Sequence, residues 1–156
     1  IKRQRTDVRE MLENALSFVQ TELHHNSIKL QLKISTKSHL VFVDTIQIQQ
    51  VMINLLRNSI DALAGVDEGR RAISITVKSQ TQNMTRISVS DNGCGCHEKE
   101  IERLFEPFFT TKEAGLGVGL SISQGIVEAH GGKLWLESTS ENGSTFCMTI
   151  PNWKRA

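Results

Sequence analysis

The chain has 156 residues, 38% of them hydrophobic and 22% charged, which is enough to bury a core without disulfides. Lys and Arg number 18 against 17 Asp and Glu, a formal charge of +1, so the basic footprint that nucleic acids demand is missing. No apolar run approaches the roughly 20 residues of a membrane-spanning helix, and Cys94, Cys96 and Cys147 are an odd set that fits a reducing compartment better than a disulfide framework.

In chain order, Ile1 is followed by Lys2-Arg3-Gln4-Arg5, with no signal-peptide pattern. The missing initiator Met reads as a fragment of a longer protein, and residues 1–5 are expected to end an upstream helical linker of a single domain spanning 1–156. Val8, Met11, Leu12, Ala15, Leu16, Val19 and Leu23 recur at helical spacing and predict a helix over 8–24. Ile28, Leu30, Leu32 and Ile34 alternate as a half-buried strand, and Leu40–Val43 is a second short one. A long helix runs from about Gln47 to Leu63 and stops before Gly65. Two alternating strands follow, Ile73/Ile75/Val77 and Ile87/Val89/Asp91, about a polar turn at 80–83. A short charged helix is expected over 97–104, an aperiodic loop over 105–116, and a helix over 118–130 ended by Gly131-Gly132. Leu134/Leu136 and Phe146/Met148/Ile150 form the last hairpin. The fold class expected is α+β, a two-layer α/β sandwich: a mixed, mostly antiparallel sheet with helices on one face.

Three segments carry chemistry. On the helix from Gln47 to Leu63, Gln47, Gln50, Asn54, Asn58 and Asp61 fall within an arc of roughly 80° at 100° per residue. An ordinary solvent face would carry Lys and Glu pairs; a row of amides and one carboxylate beside an apolar wall suits a hard cation such as Mg²⁺, or is simply a mildly polar surface. Asp91-Asn92-Gly93-Cys94-Gly95 ends a strand with a carboxylate on its inward face. Burying it is costly unless something donates to it, and a purine amine would do so against the side-chain-free glycines. The alternative is a strand-ending Asx turn. Gly115-Leu116-Gly117-Val118-Gly119-Leu120 runs into a helix, an anion-binding arrangement of backbone amides. A dinucleotide-binding turn is excluded, because Thr110-Thr111-Lys112-Glu113-Ala114 rather than a buried strand precedes these glycines and their spacing is wrong.

In this order, the three segments resemble the ATP-binding catalytic domain of sensor histidine kinases, in the superfamily that also holds DNA gyrase, the heat-shock chaperone ATPases and MutL, with its Bergerat-type ATP-binding fold. The resemblance spans about Thr6 to Pro151 and is nearest the oxygen- and PAS-sensor branch through Phe105-Glu106-Pro107-Phe108-Phe109-Thr110-Thr111-Lys112. It implies that Asn58, in Asn54-Leu55-Leu56-Arg57-Asn58-Ser59-Ile60-Asp61-Ala62, ligates Mg²⁺ and that Asn54 lies beside the phosphates. It implies that Asp91 accepts from the adenine amine beside Gly93 and Gly95, and that Thr145 of Gly143-Ser144-Thr145 reaches the same pocket. Phe105–Lys112 and Gly115, Gly117, Gly119 and Leu120 would form a lid, with Lys112 near the terminal phosphates; Lys112 and Asn54 are the phosphate-side candidates for catalysis. Two positions depart from the pattern: Asp61, where many relatives carry Lys or Arg, and Cys94/Cys96, where Pro or Met and a larger aliphatic are frequent.

The implied activity is transfer of the ATP γ-phosphate to a histidine on a separate dimerisation domain, which this chain lacks. The implied cofactors are ATP and Mg²⁺. The implied partners are that phosphoacceptor domain and a response regulator, with no nucleic acid and no membrane contact. The fragment is expected to be a cytoplasmic monomer from a homodimeric parent, which is either soluble or membrane-anchored. A gyrase- or MutL-type ATPase is the alternative; those relatives place a base where this chain has Asn54, and an amide accepts no proton at neutral pH. A nucleotide-binding module without catalysis is the other. Cys94 and Cys96 lack a second ligand cluster for zinc, and His130 in a last helical turn complements the helix dipole.

Overall fold

A computed structural model describes residues 1–35, 39–110 and 119–154. The chain enters as a short strand, β1 (Gln4–Asp7), and turns directly into helix α1 (Val8–His25). Asp7 caps that helix by accepting from the Glu10 amide at 3.3 Å. Residues 1–5 therefore do not end a helix as expected. Gln4–Asp7 instead pairs antiparallel with β3 (Leu40–Val43), from Gln4 opposite Val43 to Asp7 opposite Leu40.

Strand β2 (Lys29–Ile34) lies between α1 and β3 in sequence, and helix α2 (Thr45–Ala62) follows β3. Asp44 caps α2, its Oδ1 accepting from the Gln47 amide at 3.2 Å. After a single 3-10 turn at Glu68–Arg70 come β4 (Ala72–Ser79) and β5 (Met84–Asp91). The charged helix expected over 97–104 shrinks to α3 (Glu98–Ile101), and turns carry the chain on to 108. Helix α4 (Gly119–Ala129) leads into β6 (Leu134–Ser140) and β7 (Gly143–Pro151). Gly131 has φ +84° and Gly132 donates to the Val127 carbonyl at 3.0 Å, the left-handed stop that ends α4.

The main sheet has the order β2-β4-β5-β7-β6. β2 and β4 run parallel and every other pair is antiparallel. Register assigns the two faces. Ile73, Ile75, Val77, Ile87, Val89, Phe146, Met148 and Ile150 point to one side and are buried. Ser74, Ser88, Ser90, Thr145 and Cys147 occupy the other. The buried side meets Val8, Met11, Leu12, Ala15 and Val19 of α1 and Ile48, Val51, Met52, Leu55 and Leu56 of α2 in one hydrophobic cluster. Helices thus cover one face only, because only one strand parity is apolar. This is the expected two-layer α/β sandwich.

Candidate functional site

Asp91 is the last residue of β5, opposite Ser144 on β7 and Ile73 on β4. Because it shares strand parity with Ile87 and Val89, its carboxylate turns to the helix side, where it is half-buried. The Gly93 amide donates to its Oδ1 at 2.9 Å. Ser59 of α2 and Ser144 of β7 lie near enough to favour its charged form as well. The Asx turn and the inward carboxylate are therefore the same structure rather than alternatives. Burial pushes the Asp91 carboxyl above the ordinary carboxylate range, and these polar neighbours offset only part of that rise.

The turn after Asp91 is packed tightly onto α2. A β-carbon on Gly93 would lie 2.5 Å from the Ala62 carbonyl oxygen, and the Cys94 amide donates to that same oxygen at 3.2 Å. Gly95 has φ +73°, and a β-carbon there would collide with the Ser140 carbonyl. Beyond it, the Cys96 amide donates to Thr139 Oγ1 at 2.8 Å, and Thr139 Oγ1 lies 2.9 Å from Ser144 Oγ. Cys96 Sγ approaches Ser144 Oγ at 4.0 Å, and burial pushes its thiol up. Cys94 is exposed. Among the described residues no three His, Cys, Asp or Glu side chains converge to hold a metal.

The phosphate-side candidates lie farther along α2. Asn54 and Asn58 are one turn apart and half-buried, and Asp61 is exposed. The Asn54 amide nitrogen donates to Ser123 Oγ of α4 at 3.1 Å. Gly119 opens α4 so close to this side chain that a β-carbon would lie 2.5 Å from Asn54 Oδ1. Leu120, next in the helix, packs against the core. At the far end of α4, His130 is 1% exposed; its Nδ1 donates to the Ile126 carbonyl at 2.7 Å and its Nε2 accepts from the Asp44 amide at 3.0 Å.

Asn54, Asn58, Asp91, Gly93, Gly95 and Gly119 therefore line α2 and the elements packed on it. Thr145 does not join them. It sits on the opposite face of the sheet, 2.7 Å from Ser90 Oγ, while Ser144 holds the position beside Asp91. Counting by two from Phe146, Met148 and Ile150 identifies Ser144 as the inward residue. Ser59 carries a weaker signal, a hydroxyl on the otherwise apolar face of α2, where it is 3% exposed. Lys112, Gly115 and Gly117 lie outside the described residues, as does most of the expected lid. Of its first half, Phe105 packs edge-on to Phe146 at 6.4 Å, Arg103 stacks over Phe109 at 4.6 Å, and Phe108 is 78% exposed.

The comparisons with known proteins identify the family. Residues 43–154, well over half of the chain, match the family described as histidine kinase-, DNA gyrase B-, and HSP90-like ATPase. The chain belongs to this family. It is 39% identical over 142 residues to the sensor protein FixL of Bradyrhizobium diazoefficiens, covering 91% of this chain and 28% of that protein. It is 33% identical over 144 residues to sporulation kinase E of Bacillus subtilis, covering 92% of this chain and 19% of that one. The solved catalytic domain of the histidine kinase ThkA superposes with a TM-score of 0.85 at 32% identity, over 97% of this chain and 96% of that domain. The chain is thus a catalytic, ATP-binding domain of the sensor histidine kinase type, spanning under a third of the full-length relatives named here. No helix among the described residues is long and apolar enough to cross a membrane.

Proposed function

We propose that this domain binds ATP with the adenine amine on Asp91 and the phosphates toward Asn54, Asn58 and Gly119, and delivers the γ-phosphate to a histidine of a separate dimerisation domain. The supporting observation is Asp91 itself. A desolvated carboxylate at a strand end, which accepts from the Gly93 amide on one oxygen, has acceptor capacity that an exocyclic amine satisfies. GTP presents a carbonyl oxygen in place of that amine and meets lone pairs with lone pairs.

The donor set fits Mg²⁺. Asn58 offers a neutral amide oxygen, and Mg²⁺ typically takes one or two protein oxygens and completes its shell with phosphate and water. Bound there, the ion neutralises phosphate charge. The chain's own residues contribute positioning: Asn54 and the α4 N-terminus orient the phosphates, while Asp91 fixes the base. Lys112 adds a cation to the phosphate side. Asn54 supplies no base to activate water, and its amide nitrogen is engaged by Ser123, which favours group transfer over hydrolysis.

A response regulator receives the phosphoryl group in the whole protein; ThkA, 31% identical to this chain, has been solved in complex with the response regulator TrrA. The domain works in the cytoplasm, where ATP is, and as an isolated monomer it does not label itself. Calorimetry with Mg²⁺ tests the base assignment: ATP binds more tightly than GTP, and equal affinities refute it. Incubation with γ-labelled ATP tests the transfer. Label appears as acid-labile phosphohistidine only when the upstream helical region is present, and stoichiometric self-labelling of residues 1–156 alone refutes the reading.

A further inference from the structure

We propose that Arg3 is a positioning residue for the phosphate side: its guanidinium grips the C-terminal end of α4 and so sets where the other end of that helix lies against Asn54. The inference rests on the assignment of the phosphates to Asn54 and Gly119 given above.

Helix α4 is lightly held. Among the described residues it buries only Ser123 and Val127, against six residues of α1 and seven of α2. Apolar packing therefore fixes its place less firmly than theirs, and polar ties at its ends count for more. At its start, the Asn54 amide nitrogen donates to Ser123 Oγ at 3.1 Å, and Gly119 leaves Asn54 no room for a β-carbon. At its finish the chain passes through Gly132, where a β-carbon would collide with the Thr149 carbonyl of β7. The sheet thus makes that end a pivot.

The entry segment fastens α4 beside the pivot. Arg3 Nη2 donates to the carbonyl of Ala129, the last residue of α4, at 2.7 Å. The final carbonyls of a helix have no intrahelical partner, and a cation there also complements the helix dipole. A second tie runs in parallel: the Lys2 amide donates to Asp44 Oδ2 at 3.0 Å, and the Asp44 amide donates to His130 Nε2 at 3.0 Å. Eleven residues make α4 about 16 Å long, so a tilt of about 4° at the pivot moves Gly119 by about 1 Å. A misplacement of about 1 Å can cost a reaction on the order of a hundredfold in rate. A displacement of the entry strand is therefore passed along a rigid helix to Asn54.

The test compares Arg3→Ala with Arg3→Lys, which keeps a cationic donor, and with Arg5→Ala. Arg5 is turned to Trp153, 4.8 Å from the ring centroid, so its removal takes away the same charge without touching the tie to α4. Binding of ATP and of adenosine with Mg²⁺ is measured by calorimetry on each chain. Arg3→Ala weakens ATP about threefold, part of the worth of one charged hydrogen bond, and leaves adenosine unchanged. Arg3→Lys recovers at least half of that loss, and Arg5→Ala binds ATP as the wild type does. Without any nucleotide, the amides from Ser123 to Val127 exchange hydrogen faster in Arg3→Ala than in the wild type. Unchanged ATP affinity, an equal loss for adenosine, an equal loss in Arg5→Ala, or no recovery in Arg3→Lys overturns the role of Arg3. Unchanged exchange in α4 does so independently of any ligand. A wild-type chain that binds ATP no better than adenosine marks a different failure, that of the phosphate-side assignment itself.

Discussion

At the proposed base side Asp91 is held by the Gly93 turn at the end of a central strand, whereas at the proposed phosphate side Asn54 is held by Ser123 of α4 and crowded by Gly119. The first arrangement is tied to the middle of the sheet, since β5 is flanked by β4 and β7. The second depends on where one helix lies against another. A shift of α4 along α2 moves Gly119 and Ser123 past Asn54 but leaves Asp91 in place. The proposed base side is therefore fixed by the sheet, and the proposed phosphate side by the packing of α4 on α2. Such a division suits a domain that holds its nucleotide while the transferred end is repositioned.

The sharpest way to break this comparison is Asp91→Ala. Losing a hydrogen bond to a charged group costs roughly 1.5–3 kcal/mol, or about ten- to a hundredfold in affinity. Because the base side serves every adenine nucleotide, ATP, ADP and adenosine should weaken by similar factors in calorimetry. A loss confined to ATP would mean that Asp91 works through the phosphates.

Acidification tests the same side more gradually. The Asp91 carboxyl is raised by burial, so the folded apo protein binds that proton more tightly than the unfolded chain does. Its contribution to apo stability therefore rises as pH falls through the raised value toward the ordinary carboxylate range. Nucleotide affinity moves oppositely, because protonation removes the acceptor that the amine needs. Asp44 is held low, chiefly by the Lys2 amide, and its contribution is lost only below the ordinary carboxylate range. Buried His39 has a pKa lowered by desolvation, so its stabilising neutral form is lost as pH falls below the ordinary imidazole value. Asp91→Asn separates these windows: the upper slope attributable to residue 91 should vanish from pH-dependent thermal unfolding, while the His39 and Asp44 slopes remain.

How much was readable beforehand follows from which residues announce themselves. α1 and α2 are legible because one helical stripe is apolar over many residues, and Asp91 because a carboxylate breaks an apolar strand parity. β1 is not legible. Gln4-Arg5-Thr6-Asp7 does not alternate in polarity, only Thr6 among them is buried, and its strand form exists because β3 pairs with it. Ser59 is inconspicuous, since a serine within a helix looks neutral until the carboxylate beyond it is placed. The register shift between Leu136 and Ser138 in β6 has no local marker either.

Gly119→Ala probes the proposed phosphate side with a smaller effect. The added methyl would meet Asn54 Oδ1 at 2.5 Å, and the amide, being the far end of a side chain, moves and loses Ser123. A neutral hydrogen bond is worth about 1 kcal/mol net, roughly fivefold in affinity. The gain from replacing glycine in a helix, at most about 1 kcal/mol, offsets the stability cost. ATP affinity should thus fall about fivefold with adenosine unchanged and the melting temperature nearly constant. Equal losses for ATP and adenosine would show the two sides to be coupled.

The smallest effect sharpens the boundary between the faces of the sheet. Thr145 and Ser144 are adjacent, and a family motif read without strand parity assigns the pocket to Thr145. The register instead puts Thr145 across from Ser90 on the face away from the helices, with its hydroxyl 2.7 Å from Ser90 Oγ. Thr145→Val keeps the branched shape and removes only that hydroxyl. A partly exposed hydroxyl pair of this kind contributes about 0.2–1 kcal/mol, so a small drop in melting temperature is expected. Nucleotide affinity should stay within twofold. Ser144→Ala supplies the contrast, because Ser144 Oγ bridges toward Thr139 and Cys96 beside Asp91. Its backbone pairing with Asp91 is unchanged, so the affinity loss it causes should be modest yet larger than that of Thr145→Val. Were Thr145→Val the more damaging of the two, the strand parity on which the whole base side is built would be wrong by one residue.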